Sequence, residues 1–444
     1  MPIISNHSPI RFADALPEAV DTVVIGAGVV GVATAWYLLQ AGRSVLICEK
    51  GRVAGEQSSR NWGWIRQQGR DAAELPIMIE SLNAWEALSK QLDVDIGFSR
   101  QGVLYLAETE TELAARSDWL KIAQQHQLDT RMLSSAEIDE LFRSRPGQWR
   151  GGIFTPSDAR AEPALAVPAL ARAVQRQGGR IREHCAVRAL DTAAGRVCGV
   201  VTEAGRVKAE SVVCCGGAWS GLLLGNHGVD LPQLTVRASV ARTAPAPFVF
   251  GGGVSGGGLA LRRRQDGGYT VASGNTNEHY LSADSFRYLR QFMPALRSAK
   301  GSIRVRLDDG LINRLLRPRR WQADQPTVFE QSRVLNPAPS VKAQHLMRVA
   351  LAARIPDLAT VPFVEAWAGM IDVMPDVVPV MDEVAQLPGA YVATGFSGHG
   401  FGIGPGAGRV MADLVSGHPP GHDLSRFRLA RFHDGTPMQP GPGL

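Results

Sequence analysis

The feature that most constrains this chain is the glycine turn Gly26-Ala27-Gly28-Val29-Val30-Gly31, set directly behind the β-branched run Thr22-Val23-Val24-Ile25. Such a run reads as a strand buried on both faces. Val32 to Gln40 then reads as a helix stopped by Gly42, and Ser44 to Cys48 as a second strand ending in Glu49. Gly26 permits the tight turn, Gly28 lets a pyrophosphate approach the backbone, and Gly31 lets helix and strand pack closely. The helix N-terminus offers free N–H groups and a positive dipole to phosphate. Glu49, about 20 residues downstream, is placed to accept hydrogen bonds from an adenosine ribose. A glutamate there repels a 2′-phosphate, which disfavours NADP and leaves NAD or FAD.

The 444 residues allow two or three domains, and 45% hydrophobic with 20% charged residues is an ordinary globular composition. A net charge of +5 permits attraction to anionic ligands or surfaces without demanding nucleic acid. Cys48, Cys185, Cys198, Cys214 and Cys215 show no metal-ligand spacing, so no metal is expected. Most sit in strand-like apolar runs, which reads as buried reduced thiols and a cytoplasmic protein. The first twenty residues lack the apolar core of a signal peptide. The longest apolar run, Val23 to Leu39, is interrupted by Gly26, Gly28 and Gly31 and reads as the dinucleotide unit rather than a membrane span.

Three further segments bear on the cofactor. Gly55-Glu56-Gln57-Ser58-Ser59-Arg60-Asn61-Trp62-Gly63 is a small, polar loop able to run beneath it. Residues 181–215 alternate apolar and polar across Gly195 and Gly205, a three-stranded meander ending in Gly216-Gly217-Ala218-Trp219-Ser220. Near the C-terminus lies Gly395-Phe396-Ser397-Gly398-His399-Gly400-Phe401-Gly402, followed by a helix expected to begin near Pro405. Gly251-Gly252-Gly253 and Gly256-Gly257-Gly258 read as a flexible loop, so no second dinucleotide site is found.

These four motifs, in this order, resemble the D-amino-acid oxidase superfamily of FAD-dependent oxidoreductases, the group of glycine oxidase, sarcosine oxidase and D-amino-acid dehydrogenase. The resemblance spans residues 20–418. It implies an α/β fold: a Rossmann-like FAD domain with parallel sheet and β-meander (20–95, 155–232 and 364–418), and an antiparallel-sheet α+β substrate domain (96–154 and 233–363). Residues 1–19 and 419–444 are terminal extensions. The reaction it implies is hydride removal from a carbon bearing nitrogen, in an amine, D-amino acid or N-substituted amino acid, delivered to flavin N5. Oxygen or a quinone would reoxidise the flavin.

The cofactor contacts implied are Gly26, Gly28, Gly31, Glu49, Lys50, Ser58, Ser59, Arg60, Asn61, Val187, Gly216, Trp219, Gly398, His399, Gly400, Phe401 and Gly402. His399 reads as a cofactor contact ahead of a general base. Arg66 stands where sarcosine oxidases grip the substrate carboxylate, although a structural arginine fits the stretch as well. Asp372 could face a cationic amine or serve as a capping carboxylate. Trp62, Trp64 and Trp367 could wall a substrate pocket or be core.

The departures bear on substrate. Ile371 stands where glycine oxidases carry a carboxylate-binding arginine. The cysteine that tethers FAD in some sarcosine oxidases is missing near Gly369, and Gly402 replaces a carboxylate-binding lysine. The expected cofactor is therefore non-covalent FAD, with a substrate recognised differently from glycine or sarcosine. Two other readings stand beside this one: one subunit of an electron-transferring dehydrogenase complex, or an RNA-modifying flavoprotein. The latter is motivated by the Arg287–Arg320 stretch, which otherwise reads as solvated surface or a contact with an acidic partner or the inner face of a membrane.

Overall fold

Ala19–Ile25 forms the central strand of an eight-stranded sheet in the computed structural model, which describes residues 3–274, 276–298 and 303–441. Val23 and Val24 are fully excluded from solvent, as a strand covered on both faces requires. Its parallel neighbours are Val45–Cys48 on one side and Gly205–Cys214 on the other. Arg180–Arg182 and Ala390–Thr394 extend the parallel pairing outward. The expected meander is present: Val187–Ala193, Arg196–Thr202 and Gly205–Cys214 run antiparallel. The helix Val29–Gln40 starts three residues earlier than the apolar pattern indicates, because Gly28 is its N-cap and the end of the glycine turn is already helical.

A second, ten-stranded sheet carries the remainder of the fold. Its long centre is the antiparallel pair Leu234–Thr243 and Phe363–Val373. That pairing puts residues 364–373, inside a range expected for the cofactor half, in the second sheet. The sheet is antiparallel except where Gly253–Gly256 runs beside Val103–Ala107 and Asn277–Tyr280 beside Ile303–Arg306. The glycine cluster expected as loop is thus partly strand. Its glycines are needed because a Cβ on Gly253 would stand 2.9 Å from the Trp64 ring, and one on Gly256 2.6 Å from Leu106 Cβ.

The C-terminal helix, Gly400–Ser416, begins five residues before the expected start and carries Pro405 inside it. It is wedged between Val29–Gln40 and the helix Leu75–Gln91. A Cβ on Gly404 would lie 2.7 Å from Val29 Cγ2, on Gly406 2.5 Å from the Ile77 carbonyl oxygen, and on Gly408 2.6 Å from Ala33. These glycines set the close approach of three helices rather than punctuating a loop. Pro405 has no N–H for the Phe401 carbonyl. Trp85 Nε1 donates to that carbonyl at 3.1 Å instead. One residue on, the Ser81 hydroxyl accepts from Gly406 N at 3.0 Å and donates to the Gly402 carbonyl at 2.7 Å, completing the helical ladder through a side chain. Residues 1–2 and 442–444 of the expected terminal extensions, and 299–302 of the basic stretch, lie outside the described residues.

Candidate functional site

The strand ends of the first sheet open onto a long cavity that continues to solvent. Gly26, at φ +101°, turns the chain so tightly that a Cβ would meet the Cys215 carbonyl oxygen at 2.5 Å. Gly31 is as constrained, because a Cβ there would collide with the Gly26 carbonyl oxygen. Gly28 differs: a Cβ there would find only Ser58 Oγ, at 3.1 Å, so its missing side chain leaves room in the cavity. Ser58 Oγ accepts from Val29 N at 2.9 Å and steadies the first turn of the helix. The other N–H groups of that turn have no intrahelical partner and suit a pyrophosphate.

Glu49 closes the next strand. Its carboxylate accepts from Ala27 N at 2.8 Å and Gly51 N at 2.7 Å. Burial raises its pKa to about 7 against the opposing charge of Lys50. Each oxygen retains a second lone pair for a ribose hydroxyl. The residues of this end therefore fit an adenosine diphosphate group on geometry and on donor–acceptor type.

Glu56, quoted within the loop but not assigned a role from sequence, organises this wall. One oxygen, Oε1, accepts from Lys50 Nζ at 2.9 Å, Trp219 Nε1 at 3.1 Å and Leu335 N at 3.1 Å. Lys50 lies 4.3 Å above the Trp219 ring, and Phe329 meets the same ring edge-on at 5.7 Å. Lys50, Val187, Gly216 and Trp219 all line the cavity. Phe329 lines it too, and no local signal in its surroundings marks it.

The opposite end is built by the loop after Ala390–Thr394. Gly395, Ser397 and Gly398 all have positive φ, and Ser397, at +48°, is the uncommon non-glycine case. Its hydroxyl donates to the Gly395 carbonyl at 3.0 Å. Gly398, Gly400 and Phe401 line the cavity beside the N-terminus of the C-terminal helix. Asp372 lines it as well, buried, with its pKa raised chiefly by burial. Its Oδ2 accepts from Gly395 N at 2.7 Å, Gln233 Nε2 at 3.3 Å and Thr394 Oγ1 at 3.3 Å. Asp372 therefore ties the second sheet to the loop that ends the first.

Five expected cofactor contacts are not brought to the cavity wall. Gly31 packs beneath the turn. Ser59 faces a second cavity, where Trp367 and Arg262 also lie. Arg60 is a buried strut whose guanidinium donates to the Ala368 carbonyl, Asn336 and the Gly55 carbonyl. Gly402 packs on the backbone of Trp64 and Ile65, with no space for a long side chain. His399 turns toward Glu74, 3.5 Å away, and is held well below the ordinary histidine range by burial and then by Arg70 and Arg66.

Arg66 lies outside the cavity lining. One nitrogen donates to the Gln68 carbonyl, and the guanidinium carbon sits 5.3 Å from the Tyr105 ring centre and 5.7 Å from that of Trp64. Trp62 and Trp64 meet edge-to-face at 5.1 Å and share an apolar cluster with Trp367. Ile371 faces Val236, Tyr288 and Phe292, while Met370 and Asp372 face the cavity. At Gly369 the space of a side chain is taken by Gln57 Oε1, only 1.8 Å from an ideal Cβ. Among the described residues no group of three or more His, Cys, Asp or Glu side chains gathers to hold a metal.

A parallel sheet with a phosphate-binding turn at one end of a long cavity, and a loop and helix N-terminus at the other, defines a dinucleotide-dependent oxidoreductase. The chain belongs to the family of FAD-dependent oxidoreductases, whose family model matches residues 21–414. FAD is the cofactor of that family, and the cavity residues fit it. Among solved structures, the L-amino acid deaminase from Proteus myxofaciens, determined in complex with anthranilate, has a TM-score of 0.92 and 30% identity. The match covers 96% of this chain and 97% of that one. A glycine oxidase of Pseudomonas aeruginosa is 26% identical over 411 residues, 90% of this chain and 95% of the relative. The 4-methylaminobutanoate oxidase (formaldehyde-forming) of Paenarthrobacter nicotinovorans is 26% identical over 426 residues. This chain spans 46% of that relative's length. Chemistry of the amine and amino-acid oxidase type is common to these relatives. Among the described residues no helix is long and apolar enough to cross a membrane.

Proposed function

We propose that this chain oxidises the Cα–N bond of an amino acid, with non-covalently held FAD. The observation that carries the reading is the likeness to an L-amino acid deaminase over 96% of the chain at a TM-score of 0.92. When bound, FAD supplies the hydride acceptor, and the protein supplies orientation and charge. Gly26, Gly28 and Ser58 would hold the pyrophosphate and Glu49 the ribose. Gly398, Gly400 and Phe401 would flank the ring, where free N–H groups and the helix dipole favour the negative charge that arrives on reduction. Gln57 fills the space beside Gly369, which supports non-covalent attachment.

Arg66 is the candidate for the substrate carboxylate. Among the described residues its Nε and Nη2 make no hydrogen bond, so half of the guanidinium fork is available. The adjoining tryptophans favour an apolar side chain. Ile371 and Gly402 offer no anchor of the glycine or sarcosine kind. A second reading, an N-methylamino acid, is favoured by the likeness to 4-methylaminobutanoate oxidase.

The test is anaerobic mixing of the holoenzyme with L- and D-amino acids, N-methylamino acids and polyamines. Bleaching of the flavin band by an L-amino acid supports the proposal, and bleaching by N-methylamino acids alone supports the second reading. A chain that neither carries nor takes up FAD ends both. Hydrogen peroxide release on turnover identifies oxygen as the acceptor, and its absence points to a quinone or a partner subunit.

A further inference from the structure

Buried charge gathers between the stretch that follows Arg66 and the loop that carries His399. Arg70 is 4% exposed, yet among the described residues its guanidinium makes no hydrogen bond and no ion pair. Glu74, 1% exposed, has no partner for either carboxylate oxygen. It is the N-cap of the helix Leu75–Gln91, but its side chain caps nothing. His399 Nδ1, 3.5 Å from Glu74 Oε2, is enclosed and unpartnered as well. Buried polar groups in a folded protein are almost always paired. Four unpaired atoms on three neighbouring side chains mark a site with chemistry to perform. On either side of His399 in the chain, Gly398 and Gly400 line the cofactor cavity.

The charges that face Glu74 come from each element packed on it. Arg66 and Arg70 precede it in the chain, Arg426 reaches in from the C-terminal segment, and Asp376 follows the strand Phe363–Val373. Asp376 is already gripped by both Nε and Nη2 of Arg431. Arg66 and Arg70 act on His399 too. An α-carboxylate and its ammonium share one carbon, so a substrate held through Arg66 brings its ammonium to this cluster. Two other buried carboxylates are already committed. Asp158 accepts from the backbone N–H groups of Gln67 and Gln68 and from Gln67 Nε2, and Asp372 takes three donors on one oxygen. Glu74 keeps both oxygens free.

We propose that His399 and Glu74 take up the proton that the substrate ammonium must lose before its carbon is oxidised. With Nδ1–H turned to the Glu74 carboxylate, the neutral imidazole offers its lone pair at Nε2. An ammonium N–H bond breaks, its electron pair stays on nitrogen, and the proton passes to Nε2. The Nδ1–H bond breaks in the same movement, and that proton passes to Glu74. It comes to rest there because the carboxyl is raised to about 7, whereas burial, Arg70 and Arg66 hold the imidazole well below its ordinary range. The amine pair then closes the C=N bond as hydride leaves Cα for the acceptor that FAD supplies. One proton and one hydride lost convert the ammonium to the iminium product. A separation of 3.5 Å is what such a contact shows before substrate tightens it. This inference rests on the amino-acid reading above.

The experiment is anaerobic flavin reduction in the holoenzyme by the best amino acid of the panel, from about pH 6 to about pH 10, with rates taken per bound flavin. In the parent the rate should rise through about pH 7, as Glu74 loses its proton and becomes an acceptor. Glu74→Gln and His399→Gln should each slow reduction roughly a hundredfold at about pH 8. Both should move the rise to the substrate's own amine ionisation, where the free amine needs no acceptor, and Glu74→Asp should restore part of the rate near neutrality. A second readout needs no turnover. In the apoprotein, an infrared band of protonated carboxyl should fade as pH rises through about 7 and be missing from Glu74→Gln. Variants whose rate still rises through about pH 7 overturn the proposal, as does an apoprotein without that band. A panel in which no amino acid bleaches the flavin overturns the reading beneath it, and this proposal with it.

Discussion

His399 Nδ1 lies 3.5 Å from Glu74 Oε2, with both side chains buried and neither Nδ1 nor either Glu74 oxygen holding a hydrogen-bond partner in the protein. The contact is not an ion pair, because burial and the nearby Arg70 and Arg66 keep His399 neutral. Glu74 is raised to about 7 by burial, against the pull of Arg70, Arg66 and Arg426, while Asp376 pushes the same way as burial. Unfolded, it titrates at the ordinary carboxyl value, so between about 4.5 and about 7 the folded chain binds the extra proton. Its contribution to stability therefore falls as pH rises through that window and levels off above it. Glu74→Gln removes this dependence. Between about pH 5 and about pH 8 the gap in unfolding free energy should shift toward the variant by up to about 3 kcal/mol. The shift, read by urea denaturation, is unaffected by any pH-independent loss of contact with Arg70. A gap constant with pH would show that Glu74 ionises normally in the fold.

Glu49 gives a second pH dependence, with the opposite consequence for the cofactor. Its carboxylate already accepts two backbone N–H groups, and its pKa of about 7 means that it gains a proton as pH falls below neutrality. A protonated carboxyl has less acceptor capacity for a ribose hydroxyl. FAD affinity of the apoprotein, followed by quenching of FAD fluorescence, should weaken toward acid. Glu49→Gln should lower affinity roughly tenfold to a hundredfold at pH 8, the loss of one charge-assisted hydrogen bond, and flatten the pH profile. An affinity that neither acid nor the substitution changes would remove Glu49 from the cofactor site.

What was legible in the sequence is what local order encodes. Strand, glycine turn, helix, strand and acid follow one another within thirty residues, so Gly26, Gly28 and Glu49 could be placed before any tertiary contact was known. Glu56 was visible as a loop residue, but its partners Lys50, Trp219 and Leu335 come from three separate elements. Glu74 and His399 are 325 positions apart, and nothing near either one predicts the other. The C-terminal helix, expected to begin near Pro405, starts at Gly400, and its early glycines hide that start for a physical reason. Glycine weakens a helix by propensity, and only the facing Val29, Ala33 and Ile77 show why this helix needs it.

That packing makes Gly408→Ala informative. Alanine is the better helix former by about 1 kcal/mol, and on propensity alone the change should stabilise. The new Cβ would stand 2.6 Å from both the carbonyl carbon and the Cβ of Ala33, at the crossing of two helices that bury the cofactor strand. Backbone does not yield cheaply, and overpacking of this kind costs about 1–3 kcal/mol. The expected net result is a lower melting temperature for both apoprotein and holoprotein. A variant melting higher than the parent would mean that the helices separate freely at this point.

Asp372 separates two roles that the sequence left open. One oxygen takes three donors, Gly395 N, Gln233 Nε2 and Thr394 Oγ1, and so fixes the loop that carries Gly398 and Gly400 to the cavity. Asparagine retains a carbonyl oxygen for those donors, whereas alanine leaves Gly395 N buried and unpaired, at about 1–3 kcal/mol, while Gln233 and Thr394 keep the Gly217 carbonyl as an acceptor. If the residue is chiefly a fastener, Asp372→Asn keeps FAD content and the flavin spectrum near the parent's while Asp372→Ala loses much of its FAD on dialysis. If it also meets the substrate ammonium, Asp372→Asn leaves FAD bound but raises KM roughly tenfold, the loss of one charge-assisted contact, because the amide has no charge to offer. The three hydrogen bonds on a single oxygen make the first outcome the expected one, and a normal FAD content in Asp372→Ala would refute it.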